Sequence, residues 1–143
     1  MNNLIKTSKA VITFERKYLL QLRDLKKNIF YPGFWGLFGG RIENNENKKK
    51  AVVREIKEET NLKIDITKEI FSVKFKAVGL KSKRLIIYFE CNEIKNQKII
   101  LREGRRFKFF SFKELKKLKI IPMDFVAINH HFNYKNKLVS NYK

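Results

Sequence analysis

The chain contains 143 residues, the length of one ordinary domain, and carries 33 basic against 14 acidic side chains for a net charge of +19. A hydrophobic fraction of 43% excludes a disordered basic tail protein, and a single cysteine, Cys91, excludes a disulfide framework and an all-cysteine zinc site. We therefore expect one folded domain over residues 1–143, with a polar tail that frays from about residue 133.

The N-terminal part predicts a hairpin followed by a loop. Two short apolar runs, 10–14 and 18–22, have the composition of strands, and the polar residues 15–17 between them predict a turn. The segment from Asp24 to Gly33 predicts a loop that closes on a Tyr-Pro-Gly turn.

The middle of the chain predicts an aromatic strand, a break and a helix. Residues 34–38 are densely aromatic, and the Gly39-Gly40 pair that follows is expected to interrupt the strand. From about Lys48 to Thr60 the apolar residues recur at helical spacing.

The C-terminal half predicts more strands and two helices. Ser111 and Glu114 have the spacing of a capping box that begins a helix, and Asp124 is a candidate N-cap for a last helix. Strands mixed with two or three helices indicate an α/β or α+β domain. The predicted strands are residues 64–66, 70–78, 85–91, 99–101 and 107–110.

Three carboxylates share one face of the helix predicted over residues 48–60. Glu55, Glu58 and Glu59 stand at positions i, i+3 and i+4, where like charges repel. Arg54 can hold one of them but cannot neutralise three. The arrangement is typical of a Mg²⁺ site, and the alternative is a solvated acidic helix face.

These residues belong to a longer pattern. Gly40, then Glu46, then the run from Arg54 to Leu62 resembles the Nudix box, Gly-x5-Glu-x7-Arg-Glu-U-x-Glu-Glu-x-Gly-U, in which U is aliphatic. All six charged or glycine positions up to the second Glu of the Glu-Glu pair match. Asn61 stands where the family has its last Gly, and Asn is the next best residue for a left-handed helix end.

The resemblance implies a fold and an activity. Nudix proteins have an α/β/α sandwich with a mixed β-sheet flanked by helices. Their enzymes hydrolyse a diphosphate linked to another moiety, using Mg²⁺ or Mn²⁺, with water attacking one phosphorus. We therefore expect a pyrophosphohydrolase that acts on a nucleoside di- or triphosphate or a related nucleotide conjugate, with an oxidised nucleotide as one candidate.

The resemblance also assigns roles to residues of the box. Glu55, Glu58, Glu59 and the carbonyl of Gly40 are the implied metal ligands. Arg54 would orient the carboxylates, and Glu46 would support that arrangement by pairing with Arg54.

The general base stays open. Glu55 and Glu58 are two candidates, and Glu103 is a third, because related enzymes often bring a Glu from a later loop to the catalytic centre and the metal. The alternative for Glu103 is an ordinary acidic residue in a turn.

Substrate-binding candidates are arginines and aromatic residues. Lysine accounts for 25 of the 33 basic residues, and we interpret most lysines as solvated background that an AT-rich genome over-supplies. Arginine is scarce and is the better planar phosphate ligand. Tyr31 and Trp35 have the chemistry to stack on a base, although core packing is the alternative for Trp35. The arginine candidates are Arg23, Arg41, Arg102, Arg105 and Arg106.

The remaining expectations concern location and partners. No apolar run approaches the ~18 residues of a membrane span, and the polar residues 1–10 contain no signal-peptide core. The lone cysteine, Cys91, is expected to be a buried thiol of a cytoplasmic protein. His130 and His131 are expected to be structural. A small nucleotide is the expected partner, with a homodimer frequent among similar proteins.

Two other functions compete with nucleotide hydrolysis. Removal of pyrophosphate or a cap from RNA 5′ ends would use the positive charge, and a continuous basic groove leading to the carboxylates would favour it. A non-catalytic nucleotide- or nucleic-acid-binding module of the same fold is the other alternative. Such modules usually have a damaged box, whereas every acidic position is intact here.

Overall fold

The computed structural model describes residues 4–76, 81–102, 104 and 106–141, with side chains described up to residue 137. Eight strands and three helices lie within these residues, and they form two sheets. The strands are β1 Leu4–Val11, β2 Thr13–Phe14, β3 Lys17–Leu22, β4 Trp35–Gly36, β5 Phe38–Arg41, β6 Ile66–Phe75, β7 Lys83–Cys91 and β8 Arg106–Phe110. The helices are α1 Lys48–Thr60, α2 Phe112–Leu115 and α3 Pro122–Asn141.

The larger sheet is mixed and has the order β5-β1-β7-β6. β1 pairs antiparallel with β5 and parallel with β7, and β6 pairs antiparallel with β7. Successive side chains at the end of β1 and just after it face opposite sides of the sheet: Ala10 and Ile12 pack with α1, whereas Val11 packs with α3. The sheet is therefore flanked by a helix on each face, and the α+β sandwich expected from the sequence is confirmed.

The smaller sheet joins β2, β3 and β4, with β8 also paired to β3. The predicted hairpin turn is present, and Glu15 and Arg16 both have positive φ, at 48° and 65°. This is the backbone twist that two-residue hairpin turns require.

The Gly39-Gly40 pair does not interrupt a strand, contrary to the sequence expectation. Both glycines lie within β5 and pair with Lys9 and Ser8 of β1. A Cβ atom on Gly39 would lie 2.2 Å from the carbonyl oxygen of Ser8 and 2.6 Å from Cα of Lys9. Glycine is present because the two backbones approach closely, not because the strand ends.

Helix α1 has the predicted bounds and well-formed ends. The side chain of Asn47 accepts a 2.7 Å hydrogen bond from the backbone N–H of Lys49, which caps the first turn. Asn61 ends the helix in the left-handed conformation, at φ 65° and ψ 7°, as the sequence predicts. Val52 and Ile56 are fully buried and hold the helix against β1 and β5.

Two predicted strands are absent from the described residues. Residues 64–66 are irregular until β6 begins at Ile66, and residues 99–101 form no strand. The second segment is tied to the end of α1 instead, because Ile100 N–H donates to the carbonyl of Thr60 at 3.1 Å and Arg102 N–H to that of Glu59 at 2.9 Å. The predicted strand 70–78 ends at Phe75, and its residues 77–78 lie outside the described residues.

Asp124 is not the N-cap of the last helix, contrary to the sequence expectation. Helix α3 begins at Pro122, whose fixed φ and missing N–H suit the first helical position. Asp124 lies inside the first turn, is fully buried, and accepts hydrogen bonds from Lys9 Nζ and Leu37 N–H at 2.9 Å each and from the Tyr88 hydroxyl. The helix backbone continues to Asn141, beyond the point where fraying is expected.

No helix in the described ranges combines the length and the apolar character that crossing a bilayer requires.

Candidate active site

The three carboxylates of helix α1 differ in their exposure to solvent. The Glu59 residue is buried at 5% exposure, the Glu55 side chain is 20% exposed, and the Glu58 side chain is 59% exposed. The order follows the helix geometry, since Glu59 lies nearest the apolar stripe of Val52 and Ile56. The face therefore runs from the protein interior out to solvent.

Gly40 on β5 lies directly against Glu55. A Cβ atom on Gly40 would lie 2.2 Å from Cδ of Glu55 and 2.4 Å from its Oε2. The absence of a side chain at this position brings a backbone strand and a carboxylate together, and any other residue would displace Glu55.

Arg54 is the cation of this surface. Its Nε and Nη2 atoms donate to the two carboxylate oxygens of Glu46 at 2.6 and 2.9 Å, which is a bidentate pair. Its Nη1 atom donates to Glu55 at 3.0 Å and to Glu58 at 3.4 Å. Glu43 lies 3.9 Å from Nη2. The pairing of Glu46 with Arg54 that the sequence suggests is present.

The electrostatics follow from these contacts. The hydrogen bonds from Arg54 lower the pKa of Glu46 to about 2, and the same contact with Glu46 raises the pKa of Arg54. Among the described residues, the guanidinium of Arg54 faces four carboxylates, so the ion pairs of this cluster contain more negative than positive charge. An additional cation is the physical complement of such a surface.

The donor set suits a hard divalent cation. Carboxylate oxygens and a backbone carbonyl are the ligands that Mg²⁺ and Mn²⁺ prefer. In the arrangement of the described residues, no three Asp, Glu, His or Cys side chains converge on one point, because Arg54 Nη1 lies between Glu55 and Glu58. The missing side chain of Gly40 leaves the Glu55 carboxylate room beside β5.

A cleft of about 360 Å³ opens beside the buried end of the carboxylate face. We call it the central cleft. Arg23 is held in it by a 2.7 Å hydrogen bond from its Nε to the carbonyl of Phe30. Its lining residues include Gln21, Arg23, Lys26, Gly39, Glu59 and Arg102.

A second depression of about 300 Å³ lies beside the exposed end of the same face, and we call it the side groove. Arg102 lines both depressions, so the two meet at that side chain. The side groove is lined by Arg54, Lys57, Glu58, Asn61 and Arg102.

Several predicted substrate ligands lie away from the central cleft. Trp35 is 8% exposed and packs edge-on against Phe110 at 4.9 Å, which fits the core-packing alternative. Tyr31 is half-buried among Phe30 and Phe34. Arg41 lines a different depression, next to Glu46 and β1.

Other candidates fall at or near the edge of the described chain. Glu103 and Arg105 lie outside the described residues. Gly104 between them lines the central cleft with φ 83°, and a Cβ atom there would lie 2.7 Å from Gln21 Oε1. Arg106 is exposed and its guanidinium lies 5.3 Å from the ring of Trp35.

The expected buried residues are present. Cys91 is 5% exposed, and burial raises the pKa of its thiol to about 12. His131 is buried between the Tyr18 hydroxyl at 2.9 Å and Glu90 at 3.3 Å, and burial lowers its pKa to about 4. His131 is thus buried among polar partners, whereas His130 is exposed, and the structural role expected for both stays a prediction.

Sequence reasoning missed three polar residues of the two depressions. Lys26 and Lys57 were not predicted, because lysine is so abundant in this sequence that no single lysine stands out as a ligand. Gln21 was hidden inside an apolar strand, although a polar residue in an otherwise buried β3 was a usable signal.

Comparisons with known proteins agree with this geometry. A family model described as NUDIX domain matches residues 6–128. Two proteins named oxidized purine nucleoside triphosphate hydrolase, from Danio rerio and Mus musculus, are 36% and 33% identical to this chain over 58 residues. Each match covers 41% of this chain and 37% of the relative, so the chain matches well under half the length of these relatives.

Solved structures share the whole fold. The crystal structure of the MutT protein from Methanosarcina mazei Go1 superposes with a TM-score of 0.80 at 24% identity. The superposition covers 95% of this chain and 97% of that protein, which shows that the fold extends over nearly the full length of both.

Proposed function

This chain belongs to the NUDIX domain family, and from that premise we propose that it is a pyrophosphohydrolase that cleaves a diphosphate linkage in a nucleotide. The observation that carries the proposal is the carboxylate face of α1, which is intact in every acidic box position and borders the central cleft. A surface that only packed or only bound an anion would not keep four carboxylates around one arginine.

Mg²⁺ or Mn²⁺ is the proposed cofactor, and Glu55, Glu58, Glu59 and the Gly40 carbonyl are its proposed ligands. When bound, the metal offsets the charge of the diphosphate and the charge that develops as the linkage breaks. Arg54 orients Glu55 and Glu58 through its Nη1 atom, and Glu46 fixes Arg54 from the opposite side.

The central cleft supplies the substrate contacts. Arg23 and Lys26 place positive charge where an anionic phosphate chain would lie, and Gln21 offers an amide for polar groups of the nucleotide. Water reaches the carboxylate face at Glu58, the most exposed of the three. Glu55, Glu58 and Glu103 remain the proposed candidates for the general base that accepts the proton of the attacking water.

A nucleotide-sanitising role is the finer proposal. The Danio rerio and Mus musculus relatives are named for hydrolysis of oxidized purine nucleoside triphosphates, and a nucleotide of this type is therefore the first substrate to test. The observation in favour from this chain is the size of the central cleft, which suits a small nucleotide.

RNA 5′-end pyrophosphohydrolysis is the second candidate. Basic side chains line both sides of the carboxylate face, with Arg23 and Lys26 on one side, Lys57 on the other, and Arg102 lining both depressions. This distribution satisfies part of the requirement for a continuous basic groove. We also propose a cytoplasmic location, which suits the buried reduced thiol of Cys91, and a homodimer as the assembly to test.

A substrate panel tests the proposal. The protein is incubated with Mg²⁺ and with normal and oxidised nucleoside triphosphates, nucleotide diphosphate conjugates and a 5′-triphosphorylated RNA, and release of phosphate and pyrophosphate is measured. We expect hydrolysis of a small nucleotide that stops with a chelator and returns with Mg²⁺. Cleavage that persists in chelator would contradict the metal assignment, and faster cleavage of the RNA would favour the second candidate.

A further inference from the structure

The side groove has a chemistry that the proposed function does not yet use. Among the described residues, five line this groove; three of them, Arg54, Lys57 and Arg102, are basic, and none is aromatic. Such a surface has no platform for a base to stack on, but it suits a compact anion.

Two of the three basic side chains are uncommitted. Arg54 donates to Glu46, Glu55 and Glu58. Within the described ranges, by contrast, no ion pair involves the side chain of Lys57 or Arg102. The positive charge of these two groups is therefore available to a ligand.

A structural explanation for Lys57 and Arg102 is weak. Cations near a helix C-terminus often serve its unpaired carbonyls. At the end of α1 the carbonyls of Lys57, Glu59 and Thr60 already accept hydrogen bonds from backbone N–H groups, at 2.9, 2.9 and 3.1 Å. These three carbonyls of the helix end are therefore paired without either side chain.

The carboxylate face lies between the two depressions. Glu59 lines the central cleft, Glu58 lines the side groove, and Arg102 lines both. A substrate whose diphosphate lies over the carboxylates therefore extends into the central cleft at one end and into the side groove at the other.

The geometry points to the side groove as a binding site for the terminal phosphate of a nucleoside triphosphate, with Lys57 and Arg102 as its ligands. The inference rests on the proposed function and narrows it, because it selects substrates whose far end is a phosphate over those whose far end is a sugar or a second nucleoside. Phosphate matches two adjacent cations, whereas a neutral sugar leaves both charges unpaired.

Lys57→Gln tests the inference by steady-state kinetics on a nucleoside triphosphate and on the sugar diphosphate of the same nucleoside. We expect the wild-type protein to prefer the triphosphate, and the variant to raise KM for the triphosphate about tenfold while kcat changes less than about twofold. KM for the sugar conjugate should change less than about twofold. Lys50→Gln, on the same helix but outside the side groove, is the matched control and should behave as wild type.

Inorganic tripolyphosphate as a competitive inhibitor gives a second readout. Its inhibition constant should rise about tenfold in Lys57→Gln, and Arg102→Lys should retain more affinity than Arg102→Gln because it keeps the charge. Equal effects of Lys57→Gln on both substrates, no effect on either, or a wild-type preference for the sugar conjugate would overturn the inference. Absence of hydrolysis of every nucleotide by the wild-type protein would instead overturn the proposed function.

Discussion

The protein contains two ionic clusters of opposite design. At α1 and the loop before it, four carboxylates of the described residues share one cation, Arg54. Beneath the larger sheet, one carboxylate, Asp124, is shared by three donors, from Lys9, Leu37 and Tyr88. Among the described residues, the Arg54 cluster has more carboxylates than cations and lies partly in solvent. In the Asp124 cluster both carboxylate oxygens have donors, and the carboxylate is fully buried.

The contrast separates a cluster that maintains the fold from one that we propose binds a metal ion. Every oxygen of Asp124 has a donor, and this satisfies the requirement for burying a charge. Around Arg54 the number of carboxylates exceeds what one guanidinium can neutralise. Removing charge from the Asp124 cluster should therefore destabilise the fold, and removing charge from the Arg54 cluster should reduce activity.

The largest expected effect is on the buried cluster. Asp124→Ala leaves Lys9 as an unpaired buried charge and frees the N–H of Leu37, so we expect the free energy of unfolding to fall by ~3–5 kcal/mol. Chemical denaturation measures the change. The exposed Asp65→Ala, which removes one surface hydrogen bond to Asn92, is the control and should cost less than ~1 kcal/mol. Equal losses in the two variants would remove the distinction between the clusters.

Glu58→Gln should reduce activity without reducing stability. We expect nucleotide hydrolysis to fall about 100-fold or more, ~3 kcal/mol of activation free energy, because a proposed metal ligand loses its charge. The unfolding midpoint should stay near that of the wild type, since the side chain is 59% exposed. Glu69→Gln removes a different exposed ion pair, with Lys48, and should leave turnover unchanged. Undiminished turnover of Glu58→Gln would contradict its assignment as a metal ligand.

A smaller effect is expected from acid. The pKa of Glu46 is lowered from 4.5 to about 2 by Arg54, so the folded protein holds this carboxylate ionised where the unfolded chain begins to protonate it. The stabilisation is present above pH 4.5 and is lost as the pH falls toward 2. Glu46→Gln should therefore make the unfolding free energy less dependent on pH across this window.

The neighbouring loop residue provides the control for that measurement. Asn44→Gln lies in the same exposed loop and removes no charge, so it should keep the pH dependence of the wild type. A Glu46→Gln protein with an unchanged pH dependence would show that its ion pair with Arg54 does not form in solution.

The smallest expected effect is at the C-terminal end of α1, where Asn61 lines the side groove. Asn61→Gly should change stability by less than ~1 kcal/mol and activity by less than about twofold, because both residues adopt the left-handed conformation. Asn61→Ala introduces an unfavoured left-handed residue and should cost ~1–2 kcal/mol. A large loss of activity in the glycine variant would show that the Asn61 side chain contributes to the site.

The sequence predicted the parts of the fold that depend on local signals. The bounds of α1, the left-handed Asn61 and the presence of a turn after residue 14 all follow from neighbouring residues, whereas the positive φ of Glu15 and Arg16 is seen only in the structure. The pairing of Glu46 with Arg54 followed from the resemblance to the Nudix box and is seen in the structure. The roles of the carboxylates in metal binding and catalysis stay predictions.

The parts that sequence reasoning got wrong depend on partners far along the chain. The local sequence predicts a strand break at Gly39. Glycine is required there because the backbone of Lys9, 30 residues earlier in the sequence, lies too close for a side chain. Asp124 reads as an N-cap because its three donors lie on other strands. Residues 99–101 read as a strand because their backbone partners at the end of α1 are not visible in the local pattern.

The parallel pairing of β1 with β7 has a consequence for how the protein folds. The two strands are separated by some 80 positions in the sequence, and Asp124 binds Leu37 across 87 positions. Contacts between such distant segments form slowly, because a long loop must close before either contact is made. Until they form, the apolar faces of the larger sheet stay uncovered, so the sheet that carries Gly40 is completed late in folding.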